Sequence, residues 1–156
     1  MRILFVCMGN ICRSPTAHYI FLKKLKEQKL EDKIEVDSAG THDYHVGSKC
    51  DPRTYQHALK RGYDIQHRAR HFKKADFESF DYILVADDNN LDRLLAMRPN
   101  EEQKKKIHKT TDFCMQLKVN DVPDPYYGGE AGFEKVLDIL EDACDGLLQK
   151  VKNSLT

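Results

Sequence analysis

The sequence lacks an excess of charge of either sign. Its 156 residues include 25 Lys and Arg against 25 Asp and Glu, so the formal net charge is zero. A general nucleic-acid binder should be basic overall, because it has to neutralise the phosphates of its ligand. The balance of charges therefore argues against a nucleic-acid partner. It does not exclude a small local anion site.

The sequence also lacks a long hydrophobic run. The apolar stretch from Ile3 to Cys7 is soon followed by Gly9, Asn10 and Arg13. It is too short for the core of a signal peptide and far too short to span a membrane. We therefore expect a cytoplasmic protein without a membrane partner.

The cysteines follow no metal-binding spacing. The chain has no Cys-x-x-Cys pair, and no His-Glu-x-x-His motif occurs among its seven histidines. An odd number of cysteines without a secretory signal predicts free thiols in a reducing compartment. We expect neither a metal nor another cofactor. The five cysteines are Cys7, Cys12, Cys50, Cys114 and Cys144.

Short apolar runs alternate with amphipathic segments along the chain. The patterns predict strands over Arg2–Val6, Lys33–Ser38 and Tyr82–Ala86, and a short one at Ile107. They predict a helix capped by Ser14 with Pro15 in its first turn, and further helices over Thr54–Arg61, Asp88–Met97 and Phe133–Val151. Residues 121–129 are predicted as a loop. This alternation indicates one α/β domain over residues 1–156, with a parallel sheet covered by helices on both faces.

The loop after the first strand carries the clearest chemical signal. It reads Cys7-Met8-Gly9-Asn10-Ile11-Cys12-Arg13-Ser14, and ligands of open α/β sheets bind at the carboxyl ends of strands. Backbone N–H groups of a short loop and a helix N-terminus converge on an anion, and Arg13 can add a two-pronged contact. The same positive field favours the thiolate form of Cys7, which would be a nucleophile aimed at phosphorus.

A plainer interpretation stays open at this point. Cys7 could be a small buried residue that ends a strand, and Arg13 a surface cation. The position of this loop between a strand and the start of a helix favours the functional interpretation over the plainer one. The loop is not a nucleotide-binding P-loop, because Gly-x4-Gly-Lys-Ser/Thr is missing.

The stretch from Ile3 to Pro15 resembles the signature of the low-molecular-weight protein tyrosine phosphatases. A second motif, Asp124-Pro125-Tyr126, also resembles theirs and lies at the expected far end of the chain. The resemblance covers essentially the whole chain. It implies an open twisted parallel sheet of about four strands in the order 2-1-3-4, with a phosphate-binding loop after the first strand.

The resemblance implies a role for each catalytic residue. Cys7 would attack the phosphoryl group and form a phosphocysteine, while Arg13 stabilises charge on the equatorial oxygens. Ser14 would donate a hydrogen bond to the thiolate. Asp124 would protonate the departing tyrosine oxygen and later deprotonate the attacking water. A protonated acid beside an ionised thiol predicts an optimum of kcat/KM at about pH 5–6.

The resemblance implies further site residues. Ser38 and His67 would support a strained turn at Asn10, and Asp87 would lie at the rim or simply cap a helix. The side chains expected to bind substrate are those of the loop and two aromatic walls: Met8, Gly9, Asn10, Ile11, Cys12, Ser14, Tyr44 and Tyr126. Tyr126 and Tyr127 are also candidates for phosphorylation.

Cys12 is expected to have a redox role. In relatives, the second loop cysteine forms a reversible disulfide with the nucleophile, which would be Cys7 here. A thiolate with a near resolving thiol is the arrangement that a redox sensor needs. The alternative is that Cys12 merely fills space in the loop.

The resemblance implies phosphotyrosine proteins or small aryl phosphates as substrates, and inorganic phosphate or other oxyanions as product or inhibitor. The protein would be a monomer or a weak homodimer, and EDTA should leave its activity intact. Ile11 favours tyrosine specificity over the nearest alternative, a protein arginine phosphatase. Arsenate reduction is disfavoured, because the stretch 87–97 contains no relay cysteine. A non-catalytic phosphate-binding module is the alternative from another class.

Overall fold

A computed structural model of the protein describes residues 1–127 and 129–155. Four parallel strands form one sheet in the order β2-β1-β3-β4, which confirms the predicted fold class and strand order. Gly128, in the predicted loop 121–129, and Thr156 lie outside the described residues. The strands are β1 (Arg2–Cys7), β2 (Glu35–Gly40), β3 (Tyr82–Val85) and β4 (Ile107–Lys109).

Six α-helices are formed by the described residues. α1 and the long α6 pack against each other, and short 3-10 turns lie at Thr110–Phe113 and Pro125–Tyr127. The helices are α1 (Arg13–Glu27), α2 (Pro52–Lys60), α3 (Asp76–Ser79), α4 (Asp88–Leu95), α5 (Glu101–Lys104) and α6 (Glu130–Leu155).

Strand β1 is buried on both of its faces. Successive strand side chains point to opposite sides, so Phe5 and Cys7 join the core cluster that contains residues of α1 and α6. Leu4 and Val6 join a second cluster with Phe77 on the opposite side. This double burial explains why the strand is a continuous apolar run, and it places Cys7 at the carboxyl end of a central strand.

The structure corrects two predicted helix starts. α1 begins at Arg13, its N-cap is Cys12, and no side chain caps it. The prediction that Ser14 is the cap is therefore wrong, because its hydroxyl is used elsewhere. α2 begins at Pro52 and not at Thr54, because the Asp51 carboxylate accepts hydrogen bonds from the backbone N–H groups of Arg53 and Thr54.

The predicted strand over Lys33–Ser38 is displaced along the chain. β2 runs from Glu35 to Gly40, so its last residues lie beside the end of β1, with Gly40 opposite Cys7. The described helices include none with the length and hydropathy that a membrane span requires.

We expect Gly146→Ala to lower the free energy of unfolding. A Cβ atom at this position in α6 would lie 1.8 Å from the backbone oxygen of Phe113, and backbone cannot give way as a flexible side chain can. Overpacking of this kind costs about 1–3 kcal/mol, which outweighs the gain of at most about 1 kcal/mol in helix propensity. Urea denaturation of both proteins would measure the difference.

Gly132→Ala is the matched control for Gly146→Ala in the same helix. Its Cβ would meet Pro125 at an ordinary 3.9 Å, so this variant should be as stable as the parent or slightly more stable. Equal stabilities of the two alanine variants would contradict the close approach at Gly146.

Candidate active site

A pocket of about 370 Å³ opens at the carboxyl end of β1. The structure brings Asp124 together with Cys7 and Arg13 in its lining, although Asp124 is far from these two residues in the sequence. Six of the eight residues predicted to bind substrate also line it, together with His45, which the sequence analysis missed. The six are Met8, Gly9, Ile11, Cys12, Tyr44 and Tyr126.

Asn10 and Ser14 do not line the pocket but lie behind it. They are 1% and 2% exposed, respectively. Ser14 Oγ lies 3.0 Å from Cys7 Sγ, and Asn10 Nδ2 donates a hydrogen bond of 2.7 Å to the same hydroxyl. The hydroxyl thus has its own proton left, which it can donate to Cys7 or to the more distant Ala39 carbonyl at 3.4 Å.

The backbone of Asn10 lies in the left-handed region, with φ of 58°. Asparagine tolerates this region better than most residues. Its Oδ1 accepts hydrogen bonds from the backbone N–H of Arg70 at 3.0 Å and from Nε2 of His67 at 2.8 Å. These contacts and the bond to Ser14 hold the turn from three directions, and they fix Nε2 of His67 as a donor.

A buried polar network continues behind Asn10. His67 lies 3.8 Å from Asp37 through its Nδ1, and its side chain is only 12% exposed. Ser38 belongs to the same network, because its backbone interacts with His67 and its hydroxyl lies 3.0 Å from Nδ1 of His18. Its predicted role in supporting Asn10 stays a prediction. His18 was missed by the sequence analysis, although it lies one helical turn after Ser14 and hence on the same face of α1.

The cluster His18, Asp37 and His67 offers three possible metal-ligand atoms within 4.8 Å of one another. Its groups already have partners in the protein. Asp37 accepts hydrogen bonds from the Ser38 N–H on one oxygen and from Arg70 Nε on the other. The network is therefore satisfied by the protein's own donors.

Arg13 is a buried cation, 3% exposed, with acidic groups around it. Its Nη1 donates to Asp87 Oδ2 at 2.6 Å and to the Val122 carbonyl at 3.0 Å, and its Nη2 lies 3.6 Å from Asp124 Oδ2. Burial opposes the charge, but Cys7, Asp87 and Asp124 together raise the pKa of this guanidinium. Arg13 is therefore a permanent positive charge at the pocket.

Asp87 caps a helix, which is one of the two roles that the sequence analysis left open, and it also binds Arg13. One of its oxygens caps α4 by accepting the Asn90 N–H at 2.8 Å, and the other binds Arg13. Asp124 is held by its own turn, because the Tyr126 N–H donates to its Oδ1 at 3.0 Å.

The aromatic residues of the pocket are largely exposed. Tyr44 is 69% exposed and lies against His42, with ring centroids 4.9 Å apart. Tyr126 is 40% exposed, and its ring centroid lies 6.3 Å from that of His45. His45 also lies over the loop, since a Cβ at Gly9 would come within 2.9 Å of its ring. The side chain of Tyr127, a candidate for phosphorylation, lies outside the described residues.

Cys12 is a free thiol like the other four cysteines. Burial raises its pKa to about 12, so it is protonated at neutral pH. Its predicted disulfide with Cys7 stays a prediction.

We expect the free energy of unfolding to fall as the pH drops below about 6.5, partly through His18. Burial and the neighbouring His67 lower the pKa of His18 from 6.5 to about 3, although Asp37 opposes them. The unfolded chain takes up this proton near pH 6.5 and the folded protein does not, so each added proton favours unfolding. The contribution is at most about 1.4 kcal/mol per pH unit between the two values.

Urea denaturation of His18→Gln between pH 7 and pH 4 would test this contribution. The variant should lose stability less steeply than the parent as the pH falls. Parallel profiles for His18→Gln and the parent would contradict the assignment.

Comparison with known proteins places this chain in a family. The profile described as "Low molecular weight phosphotyrosine protein phosphatase" matches residues 2–156. A crystal structure of a protein tyrosine phosphatase from Entamoeba histolytica, with Hepes in its active site, superposes with a TM-score of 0.95. The two chains are 46% identical, and the match covers 100% of this chain and 99% of that one.

Two other relatives bear on the function. The low molecular weight phosphotyrosine protein phosphatase of Gallus gallus is 40% identical over 150 residues, which are 95% of this chain and 94% of the relative. The structure of an arginine phosphatase from Drosophila has a TM-score of 0.90 and 31% identity, covering 97% of this chain and 98% of that one. On the whole-chain profile match and these identities, the chain belongs to the low molecular weight phosphotyrosine protein phosphatase family.

Proposed function

We propose that this protein is a protein tyrosine phosphatase that hydrolyses phosphotyrosine and small aryl phosphates through a phosphocysteine. The observation that carries the proposal is the shared pocket, which places the Cys7 thiol, the Arg13 guanidinium and the Asp124 carboxyl around one space. The family and its named relatives support phosphotyrosine as the substrate class.

In the first proposed step, the Cys7 thiolate attacks phosphorus and the bond from phosphorus to the tyrosine oxygen breaks. Asp124 gives its proton to the departing oxygen, which would otherwise leave as a phenolate, a poor leaving group. Such a proton transfer typically contributes about 10²–10⁴ in rate. In the second step, water attacks phosphorus, the S–P bond breaks and Asp124 takes up a proton from the water.

Ser14 stabilises the negative charge on the Cys7 sulfur, and Arg13 stabilises the charge on the phosphoryl oxygens. The Ser14 hydroxyl lies 3.0 Å from the Cys7 sulfur and accepts from Asn10, so its proton is available to the thiolate both before attack and when sulfur leaves. Arg13 and the backbone N–H groups of the loop would bind the phosphoryl oxygens. Hepes, which carries a sulfonate, occupies the active site of the Entamoeba histolytica relative, which supports an oxyanion site here.

The pocket also supports a preference for aromatic esters. Tyr44, Tyr126 and His45 offer flat rings at its sides, which suit a phenyl ring. A phosphotyrosine is long enough to reach Cys7 between them, whereas phosphoserine is shorter. Five free cysteines agree with a reducing cytoplasm as its location. A redox role of Cys12, and a monomeric or weakly dimeric state, remain part of the proposal.

We expect rapid release of phosphate from a phosphotyrosine peptide at about pH 5.5, and none from Cys7→Ser. The experiment measures inorganic phosphate with and without EDTA, using reduced protein. Asp124→Asn should retain substrate binding but lose about 10²-fold or more in kcat/KM. Full activity of Cys7→Ser, or loss of activity with EDTA, would contradict the proposed chemistry.

Phosphoarginine and phosphoserine peptides assayed in parallel test the specificity. The likeness to the Drosophila arginine phosphatase makes phosphoarginine the relevant competitor. A preference for phosphoarginine would keep the cysteine mechanism and overturn the specificity inferred from Ile11. No release from any peptide by folded protein would favour a binding module.

A further inference from the structure

The peptide backbone of Tyr126 is held on both sides. Its N–H donates to Asp124 Oδ1 at 3.0 Å, and its C=O accepts a hydrogen bond of 3.1 Å from Nη2 of Arg53. Any movement of this backbone would therefore move the Asp124 carboxyl as well. Arg53 lies on α2, outside the segments that carry the two sequence motifs.

Arg53 is itself anchored on a buried carboxylate. Its Nε and Nη2 donate to the two oxygens of Asp51 at 3.2 and 3.1 Å, and Asp51 is only 6% exposed. The backbone N–H of Asp51 donates to the Ile11 carbonyl at 2.8 Å. Hydrogen bonds thus run from the Cys7–Ser14 loop through Asp51, Arg53 and Tyr126 to Asp124.

Two aromatic rings fix the guanidinium from other directions. The Cζ atom of Arg53 lies 5.0 Å from the ring centroid of Phe133 and 5.4 Å from that of Tyr126. Phe133 is buried and stacks on His57 with an angle of 6° between the rings. A planar guanidinium can hold Asp51, the Tyr126 carbonyl and these ring faces at once, which a lysine ammonium cannot do.

We propose that Arg53 is a positioning residue. It holds Asp124 at a fixed position relative to the Cys7–Ser14 loop, from which Asp124 can protonate the leaving group. This inference rests on the proposed function of Asp124 as general acid. Arg53 touches neither the substrate nor the reacting atoms in this scheme. It acts on Asp124 through the Tyr126 backbone.

This role predicts a dependence on the leaving group that a purely structural role would not produce. A good leaving group such as 4-nitrophenolate departs with little help from an acid, whereas phenolate needs the proton. Loss of positioning should therefore lower kcat/KM for phenyl phosphate much more than for 4-nitrophenyl phosphate. Since small displacements of a catalytic group can cost up to about 10² in rate, we expect a loss of about tenfold for phenyl phosphate.

The test compares Arg53→Gln and Arg53→Lys with the parent over a series of substituted phenyl phosphates. For Arg53→Gln, log kcat/KM should fall more steeply as the leaving group becomes poorer, and Arg53→Lys should lie between it and the parent. The Asp51 cap of α2 survives in both variants, because it binds backbone N–H groups. Circular dichroism and thermal unfolding would verify that each variant is folded.

Arg68→Gln is the matched control for the change of charge. Arg68 is exposed and donates to the Gly47 carbonyl, so its replacement should leave the leaving-group dependence unchanged. An equal loss of kcat/KM for every ester in Arg53→Gln would overturn the positioning role. So would a slope equal to that of the parent.

Asp124→Asn separates the two proposals. It should show a leaving-group dependence at least as steep as that of Arg53→Gln. If Asp124→Asn keeps the parental slope, then the assignment of Asp124 as general acid fails, and the role of Arg53 fails with it. If Asp124→Asn shows a steeper leaving-group dependence and Arg53→Gln keeps the parental slope, then only the inference about Arg53 is overturned.

Discussion

The left-handed turn at Asn10 is the constraint on which the site depends. It reverses the chain directly after β1, and it persists because the Asn10 side chain binds Ser14, His67 and the Arg70 backbone. The same side chain that fixes the turn also orients the Ser14 hydroxyl towards Cys7. Loop shape and the environment of the thiol are therefore two consequences of one set of hydrogen bonds.

The second organising feature is the buried charge of Arg13. An unpaired buried cation would be costly, but Asp87 and the Val122 carbonyl bind one end of the guanidinium, and Asp124 lies beside the other. Three chain segments thereby converge on one side chain. Asp87 also caps α4, so this helix and the Cys7–Ser14 loop are tied to each other at the carboxyl end of the sheet.

Much of the fold was predictable, because the local apolar patterns of the strands agree with how these strands are buried in the tertiary structure. The continuous apolar run of β1 reflects burial on both faces. The strand order was implied by the family resemblance, not by local patterns, and it was confirmed. The start of α1 was mispredicted because serine is a residue that often caps helices, whereas the Ser14 hydroxyl contacts Cys7 and Asn10 instead. The start of α2 was placed two residues late, because the capping carboxylate of Asp51 was not recognised.

By itself, the sequence determined that a strand, a loop and a helix present Cys7 and Arg13, since these lie within one short segment. It could also single out Asp124 by its motif. Only the tertiary structure decided that the Ser38 hydroxyl lies beside His18, that His45 lines the pocket, and that Arg53 binds the Tyr126 carbonyl. These contacts join residues distant in sequence, and local propensity carries no information about which distant side chains meet. That information arises from packing the helices onto the sheet.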